Sequence, residues 1–177
     1  MAQIHELEAE IARLKRSDEP ILLCGDFNNS PTSTVYEYMQ NMFLRNHDEP
    51  MRSAYDSYLL SDTDDDGMVM DLEKGHQGGA AFEPPFTTVN YRRRWTIDYI
   101  WYSSNTLRAS KLLKIPSEAE LRREEGPPNW LAVTMAGDSS GRLPCGLNGN
   151  HNGIPNSVHG SDHVPIMAVF EVVNNNP

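Results

Sequence analysis

The octapeptide Ile21-Leu22-Leu23-Cys24-Gly25-Asp26-Phe27-Asn28 constrains the fold of this chain more than any other stretch. Its apolar run, bounded by Pro20 and Gly25, reads as a short, fully buried strand that turns at its carboxyl end with a carboxylate and a carboxamide. In extended chain, residues i and i+2 project to one side, so Asp26 and Asn28 would converge on one point. That arrangement suits a phosphate or a hydrated cation, and strand carboxyl ends are where α/β sheets commonly bind ligands. Alone, Gly-Asp-x-Asn fits an ordinary turn equally, because Asp and Asn are turn residues.

A chain of 177 residues with 38% hydrophobic and 23% charged side chains can form one domain with its own core. No apolar run reaches the ~20 residues of a membrane span. The charged amino terminus lacks the apolar centre of a secretory signal. The expectation is therefore an intracellular protein of cytoplasm or nucleus with no membrane partner. Two cysteines, Cys24 in the expected buried strand and Cys145 in a polar loop, fit a reducing compartment. A formal charge of -10 argues against a broad basic surface for duplex nucleic acid. It leaves open a small phosphate-bearing substrate in a cleft where basic groups or a cation dominate locally.

Ala2 to Lys15 reads as a helix with Ile4, Leu7, Ile11 and Leu14 in one apolar stripe, covering the following strand. After Asn28, Ser30-Pro31 offers an N-cap and a first-turn proline, and Val35, Tyr38, Met39, Met42 and Phe43 form the core face of a second helix. Met51 to Leu60 is short enough to be helix or strand. Phe86 to Val89 and Trp95 to Tyr102 have strand composition. In the second of these, Asp98 lies on the face opposite Ile97, Tyr99 and Trp101, and an acid in mid-strand asks for a histidine, cation or donor beside it. The basic link Asn90 to Arg94 is a solvated turn or a guide for phosphate. Ala109 to Ile115 is a further strand candidate, and 117–129 and 137–160 read as surface loops. Ser161-Asp162-His163-Val164-Pro165 would form the turn before a final strand, Ile166 to Val172. There Asp162 could ligate or orient a cation, and His163 could donate to a phosphoryl oxygen or shuttle a proton.

An acidic run supplies a separate candidate. Asp62, Asp64 and Asp66, a carbonyl at Met68 and Glu73, with Gly67 between, match the spacing of a calcium loop, in which alternate oxygens surround a hard cation. Lys74 to Gly79 makes a poor exit helix, so a solvated acidic loop is the competing reading.

Gly-Asp-Phe-Asn, then Thr-Ile-Asp-Tyr-Ile, then Ser-Asp-His resemble in that order the carboxyl half of the endonuclease/exonuclease/phosphatase superfamily, nearest its deadenylase, nocturnin and 2′-phosphodiesterase branch. Ser30-Pro31-x-Ser33, Ser53-Ala54-Tyr55, Phe86-Thr87-Thr88 and Ile97 to Ser103 support the likeness, which runs from about Ala2 to Val173. It implies an α/β (α+β) fold, about half of a four-layer α/β/β/α sandwich, mainly one mixed sheet with covering helices. One domain over 1–173 is expected, with the calcium loop an insertion at 62–73 and 174–177 a tail. The implied activity is a Mg²⁺- or Mn²⁺-dependent phosphodiesterase acting on RNA by in-line attack of water. Asp26 would position or deprotonate the water, and Asn28 would hold a phosphate oxygen or metal-bound water. Asp162 would join Asp26 and Asn28 in the metal site. Asp98 would pair with His163, which would stabilise the phosphoryl charge, and Arg94 would touch substrate. The superfamily's amino-terminal half carries an Asn, a metal-binding Glu and a His that have no counterpart here, so the expectation is part of a longer domain or a chain completed by a partner. A non-catalytic remnant, or a calcium-binding module around Asp62 to Glu73, is the alternative.

Overall fold

The amino-terminal helix α1 spans Ala2–Leu14 in the computed structural model, which describes residues 1–16, 19–44, 49–58, 69–72, 82–90, 93–121 and 160–173. Its apolar stripe does what the spacing dictates: Ile4, Leu7 and Ile11 pack against the main core. Leu14 does not, being 62% exposed where the helix ends. Glu8 on the inner face accepts hydrogen bonds from the Tyr38 hydroxyl and the Leu44 amide. Lys15, just past the helix, forms a nearly buried ion pair with Glu49.

The chain forms two compact units, one from 1–85, 96–114 and 166–177, the other from 86–95 and 115–165. The first unit holds α1, helix α2 (Thr34–Asn41) and two three-stranded sheets. In the first sheet β1 (Leu22–Asp26) and β2 (Met51–Ser53) flank β6 (Asp98–Ser103), both antiparallel to it. Leu23 lies opposite Trp101 and Gly25 opposite Tyr99, so one face of this sheet meets α2. Between them lie Met39, Phe43, Leu44, Met51, Tyr99 and Trp101, the core cluster. Tyr36 of α2 sits with its ring centroid 5.0 Å from Trp101 and 5.4 Å from Tyr99.

The second sheet is ordered β3 (Val69–Asp71), β7 (Leu107–Leu113), β8 (Ala168–Val172), again antiparallel, with a register shift between Ala109 and Lys111. The turn at 104–106 separates β6 from β7, and there the Ser103 hydroxyl accepts from the Ile21 amide and contacts the Thr106 hydroxyl. Tyr55, in the turn after β2, places its hydroxyl 2.9 Å from the Leu113 carbonyl and 3.0 Å from the Met167 carbonyl. Tyr102 and Phe170 bring the sheets together, ring centroids 5.1 Å apart.

In the second unit β4 (Thr88–Val89) and β5 (Arg94–Trp95) form a ribbon, and α3 (Glu118–Leu121) is a single turn. Phe86, Thr87, Val89, Leu121 and Val164 are its buried residues of note. No helix among the described residues is long and apolar enough to cross a membrane.

The α/β class agrees with expectation, but the strands differ in three ways. The expected mixed sheet is two antiparallel sheets and a ribbon, because β6 runs against both neighbours and β7 leaves it at a tight turn. The strand expected over Trp95 to Tyr102 breaks at Thr96 and Ile97 into β5 and β6. β1 is not fully buried: Leu22 is 52% exposed and Cys24 is exposed, since β1 is an edge strand and only its Leu23 face meets the core. The cap of α2 also shifts. Ser33, not Ser30, accepts from the Tyr36 amide, and Met42, expected in the core, is 55% exposed at the helix end.

Candidate functional site

β1 and β6 end their pairing at Asp26 and Asp98, which lie directly opposite each other. Antiparallel register puts partner side chains on one face of the sheet. The two carboxylates accordingly offer oxygens within 4.8 Å of each other. Two like charges that close repel, and a divalent cation or another positive group between them removes the repulsion. Oxygen donors of this kind suit Mg²⁺ or Mn²⁺, which prefer carboxylate, carboxamide and water.

Asn28 is joined to Asp26 by a different geometry from the one its spacing implied. The chain leaves the strand after Asp26, and Asn28 has φ 51°, in the left-handed region that asparagine tolerates better than other side-chain-bearing residues. Asp26 Oδ1 accepts the Asn28 amide at 2.8 Å, so the two residues are joined by an Asx turn and not by extended chain. Next to it, the Asn29 side chain donates to the Phe27 carbonyl at 2.7 Å, fixing the loop further.

Tyr99, adjacent to Asp98, is a site-supporting residue that motif reading missed. Its hydroxyl lies 2.8 Å from the Asn29 carbonyl and 2.9 Å from the Thr96 carbonyl, tying the loop after β1 to the chain leading into β6. The signal was present: a tyrosine in a buried strand needs a partner for its hydroxyl. Burial pushes that hydroxyl well above the usual phenol range.

In the second unit Asp162 and His163 sit on a segment paired to β4. His163 bridges Thr88, the Val89 amide donates to the Asp162 carbonyl at 2.8 Å, and the Val164 amide donates to the Thr87 carbonyl at 2.8 Å. The Asp162 carboxylate also accepts from the Asn90 side chain at 3.3 Å. The strand that follows begins only at Ala168, leaving Pro165 in the connection where its missing N–H is harmless. Arg94 lies on β5, exposed, beside Trp95, whose ring carries the Arg93 guanidinium 4.5 Å from its centroid. The calcium-loop candidates Asp62, Asp64, Asp66, Met68 and Glu73 lie outside the described residues.

Comparison with known proteins matches residues 1–163 to the model of the Endonuclease/Exonuclease/phosphatase family. The CCR4-Not complex 3'-5'-exoribonuclease subunit Ccr4 of Phaeosphaeria nodorum is 33% identical over 115 residues, covering 64% of this chain and 18% of that protein. Nocturnin of Xenopus laevis is 35% identical over 106 residues, covering 58% of this chain and 21% of that protein. Among solved structures, ANGEL2, a 2',3'-cyclic phosphatase, in complex with adenosine-2',3'-vanadate, matches 95% of this chain and 50% of its own, with TM-score 0.53 and 21% identity. That likeness concerns the fold. The chain thus spans about a fifth of the length of the curated relatives it matches, 18% and 21%. With the family model matching most of its length, the chain belongs to the endonuclease/exonuclease/phosphatase family.

Proposed function

We propose that this chain is part of a divalent-cation-dependent phosphodiesterase that cleaves single-stranded RNA as a deadenylase-like 3′-exonuclease. The observation that carries the reading is the Asp26 and Asp98 carboxylate pair at the end of the β1 and β6 ladder. Further support comes from relatives named exoribonuclease and nocturnin, and from a family match that spans all three motifs. Asp26 orients or deprotonates the attacking water, and the Asx turn presents the Asn28 carboxamide to a phosphate oxygen or metal-bound water. His163 stabilises charge on the phosphoryl group, with Asp98 as its acidic partner fixing its tautomer. Asp162 serves the metal site. A Mg²⁺ or Mn²⁺ held by these residues would supply Lewis-acid charge there. Arg94 contacts the substrate backbone from the ribbon. A further metal-binding carboxylate comes from a longer form of the domain or from a partner, and the protein works in cytoplasm or nucleus.

The test is hydrolysis of a 5′-labelled oligoadenylate by the completed domain, this chain together with the segment or partner that supplies the further carboxylate, with Mg²⁺ or Mn²⁺. Expected are shortening from the 3′ end, abolition by chelator, and at least ~100-fold slower cleavage in Asp26→Ala and in His163→Ala. Parental rates in either variant, or cleavage indifferent to chelator, overturn the proposed roles. A completed domain with no activity on any phosphodiester favours the non-catalytic alternative.

A further inference from the structure

Glu83 is an acid in surroundings that disfavour an ionised one. It lies in 82–85, the segment leading to β4, with Oε1 accepting from the Tyr36 hydroxyl of α2 at 2.8 Å. Ser53 of β2 is its other polar neighbour. Oε2 is buried and, among the described residues, has no hydrogen-bond partner. Among the described residues, the titratable groups that act on it are Tyr36 from α2, Tyr55 and Asp56 from the turn after β2, and Tyr99 from β6. None is a cation, and Asp56 is itself committed to Arg52 at 2.9 Å. A carboxylate with one oxygen buried and unpartnered is costly, whereas the neutral acid in the same seat is not charged and loses far less.

The seat matters because of what adjoins it. Pro84, the next residue, accepts a hydrogen bond from the buried Thr96 hydroxyl at 2.6 Å. The Thr96 carbonyl in turn accepts from Tyr99, whose hydroxyl also reaches the Asn29 carbonyl. A continuous chain of bonds therefore runs from the Glu83 segment to the residue after Asn28 and to the backbone two residues before Asp98.

We infer that Glu83 is a positioning residue, seated as a neutral carboxylic acid between Tyr36 and Ser53, which holds the bonds from Pro84 through Thr96 and Tyr99 to Asn29 and so sets the backbone that carries Asn28 and Asp98. Burial, ahead of the opposing influence of Ser53 and Tyr36, raises its carboxyl from 4.5 to about 7. The folded chain then holds this proton roughly 300-fold more tightly than an ordinary glutamate would. The sign follows: the stabilisation is complete below pH 4.5 and is lost as pH rises through about 7. The seating stands on its own contacts; its consequence for catalysis rests on the function proposed above.

The experiment is a carboxyl-carbon NMR titration of the full chain from acid to mildly alkaline pH, with backbone amides followed in parallel and Glu83→Gln and Glu83→Ala as variants. Expected are a Glu83 midpoint near 7 and Asn28 and Asn29 amides that shift with the same midpoint. Both amides stay at their acid positions in Glu83→Gln and are displaced at every pH in Glu83→Ala. A Glu83 midpoint near 4.5, or amides that ignore the titration, overturns the inference. If the variants fail to fold, the parental titration decides alone. A completed domain that is inactive while the chain shows the titration refutes only the catalytic reading, and an active domain without the titration refutes only the role of Glu83.

Discussion

Strands β1 and β6 each bring one aspartate to the site, yet they live in opposite environments. β6 is central in its sheet and buried along its length after Asp98, with Tyr99 and Trp101 at 2% and 1% exposure. β1, its neighbour, is an edge strand whose Leu22 and Cys24 lie open. Composition would rank them the other way, since Ile21-Leu22-Leu23-Cys24 is the more aliphatic run and β6 contains Asp, Tyr and Ser. Position in the ladder therefore decides burial here, and residue type does so only secondarily.

The sharpest test of that difference is truncation. Trp101→Ala removes a ring packed against Tyr36 and Tyr99 and should destabilise the chain by about 3–5 kcal/mol. Leu22→Ala, on the open face of β1, should cost less than about 0.5 kcal/mol. Chemical denaturation with matched m-values measures both. Equal losses would mean that the Leu22 face is packed in solution and the contrast is wrong.

The same contrast explains what was legible beforehand. Helix α1 was readable because Ile4, Leu7 and Ile11 recur at helical spacing whatever they pack on. Asp98 stood out as a residue, since an acid in mid-strand asks for a partner, whereas Asp26 alone fits an ordinary turn. Their pairing was not readable, because register depends on two strands 72 positions apart in the chain, Asp26 and Asp98. The convergence of Asn28 with Asp26 expected from extended chain does not occur, because period-2 projection ends where the chain turns, and φ 51° ends it. Glu83 carried no local signal at all. Only the distant partners Tyr36 and Ser53 make it unusual, and neither is near it in sequence.

A smaller effect should come from the charges themselves. Asp26→Asn keeps an acceptor for the Asn28 amide and removes one of two carboxylates within 4.8 Å. In chelator, relief of that repulsion should raise stability by about 1 kcal/mol. The same substitution should abolish any rise in melting temperature caused by millimolar Mg²⁺ or Mn²⁺ in the parent. A destabilised Asp26→Asn chain, or an unchanged response to the metal, would show that the pair is not a repulsive cation seat. At a similar scale, Ser33→Ala deletes the α2 cap accepting from the Tyr36 amide and should cost about 1 kcal/mol, whereas Ser30→Ala should cost almost nothing.

The gentlest probe of the edge strand leaves the fold intact. Cys24 is exposed, while partial burial pushes its thiol upward. Those two facts make opposing demands on alkylation. Exposure lets reagent in without unfolding, and the raised thiol lowers the reactive thiolate at any given pH. Cys24 in the native chain should therefore react within roughly tenfold of a free cysteine near pH 8, and its rate should keep rising above the pH where an ordinary thiol levels off. Peptide mass spectrometry distinguishes it from Cys145. A fully buried strand behaves otherwise, because its thiol reacts only through opening and is slowed by roughly a thousandfold or more in a stable domain. Protection on that scale would restore the buried reading of β1 and remove the contrast with β6. Ready alkylation with a late pH midpoint would mean that the strand bearing Asp26 keeps one face open while its other face is anchored to Tyr99 and Trp101.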